Sequence, residues 1–198
     1  METWVKMRNR ILLVACILCI FASTTLFAVV EHVYGYLLWG LKWKKPPYPD
    51  LWYINLCADP DDFYATRDAA NDWNNINLPS GVRPRFHDYW YPPQHVYVKN
   101  VYYPSQWWDG MTYPYDYNGD GYFEYVNISL NNYYTQNYPR NKIRSVIGHE
   151  FGHSLGLAHM FFAPVLMNPD TSERYDVYGI YKPTQDEVNG INALYGGG

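Results

Sequence analysis

Residues 149–159 read HEFGHSLGLAH, and no other stretch restricts the folding of this chain so tightly. His149 and His153 are four residues apart, which on an α-helix puts both imidazoles on one face, one turn apart. Two side chains so placed can grip one metal ion. Glu150 then lies near enough to reach a water at that ion without being a ligand itself. Gly156 stops the helix, because glycine turns through left-handed backbone at little steric cost. The chain can then double back and bring in His159. Three protein ligands with one position left for water is what catalytic zinc requires. His-Glu-x-x-His alone leaves open a pair of ordinary satisfied histidines. The added spacing to Gly156 and His159 argues strongly against that alternative. Gly148, Gly152 and Gly156 also repeat every four residues, which predicts a flat helix face lying close against a sheet. Each glycine costs such a helix roughly 1 kcal/mol relative to alanine, a sacrifice with no obvious return in a purely structural helix.

The rest of the chain alternates strand and helix patterns. Leu51–Leu56 reads as an apolar first strand. Asp61 and Asp62 can cap a helix running to about Ile76, with Ala65, Ala69, Trp73 and Ile76 on one face. Arg83–Trp90, His95–Tyr102 and Tyr122–Leu130 read as strands, with Pro92-Pro93 breaking the first two apart. Residues 103–121 read as loop. A helix is expected from Asn141 to Gly156. Thr184-Gln185-Asp186-Glu187 forms a capping box for a last helix, with Val188, Ile191 and Tyr195 on one face before Gly196.

The motif resembles the signature of the metzincin zinc endopeptidases. Val165-Leu166-Met167-Asn168-Pro169, with Met167 eight residues after His159, is similar to the methionine turn of the matrixins, the matrix-metalloproteinase-like branch. Residues 183–196 resemble the matrixin closing helix. The similarity is strong over about 141–196 and only topological over 50–130. The resemblance implies an α+β fold of α/β-sandwich type: a twisted, mostly parallel sheet with a backing helix, an active-site helix, a methionine turn and a C-terminal helix. It implies His149, His153 and His159 as zinc ligands, Glu150 as general base, Met167 as the turn methionine and Gly156 as structural support. An extended polypeptide substrate would pair with an edge strand drawn from residues 103–130. The specificity pocket would be lined by Val146–His149 and by a segment such as Tyr175–Tyr181. Met160 departs from the serine many matrixins carry after the third histidine. With no cysteine between the apolar run and the first strand, a cysteine switch is not expected, and the short bacterial matrixin-type proteases are the better likeness.

Lys6, Arg8 and Arg10 precede a run, Ile11–Val30, without a charged residue. This is the pattern of an export signal, and its length also suits a membrane anchor. Residues 1–35 are therefore read as a signal peptide or signal-anchor, 36–49 as a linker and 50–198 as the catalytic domain. The domain is expected to be secreted, or held at the membrane through residues 11–30 with its catalytic part extracytoplasmic. A chain of 198 residues suffices for one such domain, and a monomer is expected. Fifteen Lys+Arg against nineteen Asp+Glu leave a net charge of −4, so no basic footprint for nucleic acid exists. Cys16 and Cys19 lie in the apolar run, and Cys57 reads as a buried free thiol in the first strand.

Asp116, Asn118 and Asp120 alternate before Gly121, with Glu124 beyond, which makes a candidate calcium loop; an ordinary Asn-Gly/Asp-Gly turn is the alternative. The spacing of His87 and His95 does not suit a second zinc, so these read as ordinary histidines. Asn127-Ile128-Ser129 is an N-glycosylation acceptor where the host glycosylates. Thirteen tyrosines between Tyr89 and Tyr138 invite a rival reading, a non-catalytic surface- or carbohydrate-binding module on a protease-like scaffold. A decayed enzyme would be expected to lose Glu150 or a ligand, and all four residues are present.

Overall fold

The computed structural model describes residues 35–44, 50–78, 83–89 and 95–196. The leader reading, with Cys16 and Cys19, lies outside the described residues. Among the described residues no helix is long and apolar enough to cross a membrane.

Five strands form one sheet: β1 (Asp50–Asn55), β2 (Arg85–Asp88), β3 (Val96–Val101), β4 (Gly110–Tyr115) and β5 (Tyr125–Asn131). Their order is β2-β1-β3-β5-β4, parallel except for β4, which runs antiparallel to β5. Alternation sets the faces. Leu51, Tyr53, Val96, Val98, Val126, Ile128 and Leu130 are buried. On the other face, Trp52 lies 4.6 Å from the His87 ring and Tyr115 stacks on Tyr125 at 4.1 Å. The tyrosine excess is thus partly a ladder of cross-strand aromatic pairs. Asn127 lies within β5, and Ser129 of its acceptor triplet is buried.

Helix α1 (Pro60–Asn74) returns the chain from β1 to β2. Its cap is Asp59 rather than Asp61 or Asp62; the Asp59 carboxylate accepts from both following amides. Pro60 takes the first helical position, where a missing N–H costs nothing. A short helix α2 (Asn132–Thr135) follows β5, and α3 (Arg140–Ser154) carries the histidine motif. Trp73 of α1 is fully buried and donates its indole N–H to the Gly148 carbonyl at 2.9 Å, locking α1 to α3. Arg144 of α3 grips Asp72 of α1 through both carboxylate oxygens, at 2.5 and 2.7 Å.

The glycine repeat of α3 serves these neighbours, not the sheet. A Cβ at Gly148 would meet Leu166 and Ala69, and one at Gly152 would collide with the Met167 sulfur and crowd Trp73. The predicted flat face exists, but it lies against α1 and the methionine turn.

Strand β4 lies in the stretch expected to be loop. Gly110 and Pro114 hide it, and an edge strand tolerates both because one of its sides needs no ladder partner. A π-helical turn, Ser172–Val177, was also not foreseen. The last helix, α4 (Gln185–Tyr195), has its full capping box. Cys57 is free and buried as expected, but it lies just beyond β1, where its thiol faces Thr66.

The stretch read as a linker packs on the domain over its described part. Leu38 pairs with Leu157, and the amide of Trp39 donates to the Gly156 carbonyl at 2.9 Å. Trp43 is buried and donates its indole N–H to Ser154 at 2.7 Å. Tyr195 of α4 closes this clamp, donating to the Leu155 carbonyl at 2.9 Å and accepting from the Trp43 amide.

Gly156 is the hinge of that arrangement, with φ of +98° and the Leu41 carbonyl pressed against the position a Cβ would take. Gly156→Ala is therefore expected to destabilise the protein by about 2–4 kcal/mol, since left-handed strain adds to a clash with backbone that cannot swing aside. Denaturant unfolding checks this.

Candidate metal centre

Helix α3 presents His149 and His153 one turn apart. The turn at Gly156 brings His159 back opposite them. The ring centroids lie 4.6 Å apart for His149–His153, 4.7 Å for His153–His159 and 5.1 Å for His149–His159. One nitrogen from each of the three lies within 4.8 Å of the others. Among the described residues, no other group of three His, Cys, Asp or Glu is drawn together in this way.

The ring orientations follow from backbone carbonyls. His149 Nδ1 faces the Leu166 carbonyl at 2.8 Å, and His153 Nδ1 faces the Leu157 carbonyl at 2.8 Å. A carbonyl only accepts, so each Nδ1 must carry the ring proton. Both Nε2 atoms are then bare lone pairs, yet they stand 3.1 Å apart. Burial lowers the pKa of His149, and that of His153 is pushed down to about 3, so protonation does not relieve the repulsion. Two lone pairs facing each other want a cation between them. Three clustered imidazoles, two of them oriented by carbonyls behind them, fit zinc with an open position.

Beneath this cluster lies Met167, whose thioether packs against Gly152. The turn is held from both sides: the Met160 amide donates to the Met167 carbonyl, and the Met167 amide donates to Glu187 Oε1 at 2.9 Å. Glu187 is the capping-box residue of α4, and its other oxygen accepts from the Thr184 amide and hydroxyl. One buried carboxylate thus fastens both the closing helix and the floor of the site. Its sequence signal was the capping box alone.

Glu150 is buried beside the cluster. Thr112 of β4 donates its hydroxyl to Glu150 Oε2 at 2.7 Å, and burial pushes the Glu150 carboxyl up to about 8. Gly110 makes this contact between β4 and α3 possible, because a Cβ there would lie 2.6 Å from Glu150 Oε1 and 2.7 Å from Val146. Neither Thr112 nor Gly110 stood out in a stretch that reads as loop.

A cleft of about 1090 Å³ opens over these residues. Its floor includes His149, Glu150 and His159, and its rim carries Trp39, Trp107 and Phe162. The wall after Met167 is formed by residues 168–174, earlier in the chain than the expected Tyr175–Tyr181. Arg174 in that wall is buried and bonds across to Ser145 of α3. Nothing in the sequence pattern singled it out.

The family model for the matrixins matches residues 65–196, more than half of the chain. The chain belongs to the matrixin family. The bovine (Bos taurus) interstitial collagenase is 37% identical over 78 residues, covering 39% of this chain and 15% of that protein. Human matrix metalloproteinase-20 is 50% identical over 52 residues, covering 26% of this chain and 10% of that protein. Human neutrophil collagenase is 47% identical over 51 residues, with shares of 26% and 10%. The matched segments span only a small part of these relatives' length.

The candidate calcium residues answer to their own loop. Asp116 accepts from the amides of Gly119, Asp120 and Gly121, Asn118 from Asp120, and Asp120 from Tyr122. Glu124 Oε2 accepts from the Tyr117 amide at 2.6 Å. His87 pairs with Asp50, and His95 Nδ1 accepts from the Trp52 amide, so these two do not converge.

Losing an outer-shell partner of a metal-binding histidine costs about 10–100-fold in affinity. Purified matrixin is expected to hold one zinc per chain, and His153→Ala to lose more than that factor. Competition with a chromophoric chelator measures both.

Proposed function

We propose that this matrixin is a zinc-dependent endopeptidase, with His149, His153 and His159 holding the metal and Glu150 as general base. The observation that carries the reading is the pair of bare Nε2 atoms 3.1 Å apart, with His159 closing the set and a buried carboxyl alongside. When bound, zinc supplies a Lewis acid that polarises the scissile carbonyl and makes the attacking water more acidic.

The chain's own residues supply the rest. Glu150 takes a proton from the attacking water and returns it to the leaving nitrogen. Its raised pKa makes it a stronger base than an exposed glutamate, and a dication nearby would draw that value back toward neutrality. Thr112 fixes which way the carboxylate faces. Among the described residues strand β4 pairs with β5 alone, which leaves its other edge for an extended polypeptide to add as a further strand. Gly110 keeps that edge tight against Glu150, which sets the reach between a strand-bound peptide and the base. Met167 does no chemistry; it fills the space behind the ligands.

The reading includes an extracytoplasmic location, supported by the basic start and uncharged run of residues 1–30. A non-catalytic module would have no use for a buried glutamate held in place at a three-histidine cluster.

Glu150→Gln is expected to lower kcat/KM by at least about a thousandfold, at the upper end for general acid–base groups, with zinc content unchanged. Hydrolysis of a quenched peptide library with parallel metal analysis tests this; undiminished cleavage in the variant would rule the role out. Thr112→Val removes a hydrogen bond to the ionised carboxylate, so the pKa of Glu150 rises. The base works only when ionised, and activity is lost as pH falls through that pKa. The acid limb of the kcat/KM profile is therefore expected to move to higher pH.

A further inference from the structure

We propose that Arg174 makes the pocket beside the histidine cluster a receptor for a carboxylate, so that this protease prefers substrates with aspartate or glutamate flanking the cleaved bond. This rests on the endopeptidase reading and adds the substrate class.

Arg174 is the one Lys or Arg buried among the described residues, at 1% exposure. A buried guanidinium ordinarily sits in an ion pair, because an unpaired charge out of water is costly. Arg174 has no acid within 4.0 Å among the described residues. The acids that act on its charge from further away are Asp109, Glu150, Asp170 and Glu187. Three of them are engaged elsewhere: Glu150 is held by Thr112, Glu187 by Met167 and Thr184, and Asp170 by the Glu173 amide.

The donor inventory leaves room for a ligand. Nε donates to Ser145 Oγ at 2.9 Å, Nη1 to the Asn168 carbonyl and Nη2 to Thr171 Oγ1 at 2.9 Å. A guanidinium has five N–H groups, so two remain, one on each Nη. The nearby His149 Nδ1, 3.4 Å away, is not an acceptor, since its proton faces Leu166. Unused guanidinium N–H groups are what a carboxylate engages through charge-assisted hydrogen bonds.

Placement agrees with that chemistry. Arg174 lines the cleft together with Thr171 and Asn168, and it bridges α3 to the wall after Met167. It stands behind His149, one imidazole ring away from the nitrogen facing the cluster. A methionine would fill the same space without burying an unpaired charge.

The test uses the zinc-loaded full-length protein and quenched peptides that differ only at the residues flanking the cleaved bond. Glu is compared with Gln, Asp with Asn, and both with Leu and Ala. We expect kcat/KM for Glu to exceed that for Gln by about tenfold or more, as for a charge-assisted bidentate contact. The ratio should fall as salt rises, and Arg174→Met should erase it. Equal rates for Glu and Gln in the wild-type protein, or a preference for Leu or Ala, would overturn the proposal while leaving the endopeptidase reading intact. Because that comparison needs no variant, it holds even if Arg174→Met does not fold. No cleavage of any peptide would overturn both readings together. Cleavage only where the product released from the end carries a free terminal carboxylate, and not its amide, would trace the anion to a chain end and overturn the side-chain proposal.

Discussion

Two backbone carbonyls, those of Leu157 and Leu166, decide which nitrogens of His153 and His149 face the cluster. Each takes the Nδ1 proton and leaves Nε2 bare. Neither carbonyl belongs to the helix that carries the histidines. Leu157 lies just past the turn at Gly156, and Leu166 precedes the turn methionine. The three-histidine cluster therefore forms only if the chain leaves α3 sharply and passes back beneath it. Gly156, the clamp of Trp43 and Tyr195, and the tie from Glu187 to the Met167 amide all serve that path.

Close approach is the second constraint. Gly148 and Gly152 let α3 sit against Leu166, Met167 and Trp73 where larger residues would hold them off. Gly110 does the same between β4 and α3. The helix forgoes intrinsic stability at its glycines and recovers it through burial of Trp73, Phe151 and Met167 around them. The result is a cluster in which His149, His153, Glu150 and Met167 are each held by a contact from outside their own element.

Charge in the cleft is arranged by burial more than by pairing. Glu150 and Arg174 are both buried beside the histidine cluster, and among the described residues neither has an ion-pair partner within 4.0 Å. Thr112 restrains one; Ser145, Asn168 and Thr171 restrain the other. Buried groups held by neutral partners keep their charge interactions available to an incoming ligand.

Local features are legible from residue spacing. Helical periodicity places His149 and His153 on one face, glycine permits the turn at 156, and the capping box starts α4. These depend on residues within a few positions of one another, so spacing alone reveals them. Alternating apolar runs likewise marked most of the parallel strands. The edge strand within residues 103–121 has no such local signature, since β4 is defined by its pairing with β5 rather than by its own composition. The same holds for Trp43, which is buried by Ser154 and Tyr195 far along the chain, and for the glycines of α3, which lie against a turn and not a sheet. Thr112 and Arg174 are ordinary residues in the sequence. They become a restraint on Glu150 and a buried cation because folding removes water around them, and the environment that does so is contributed by distant residues.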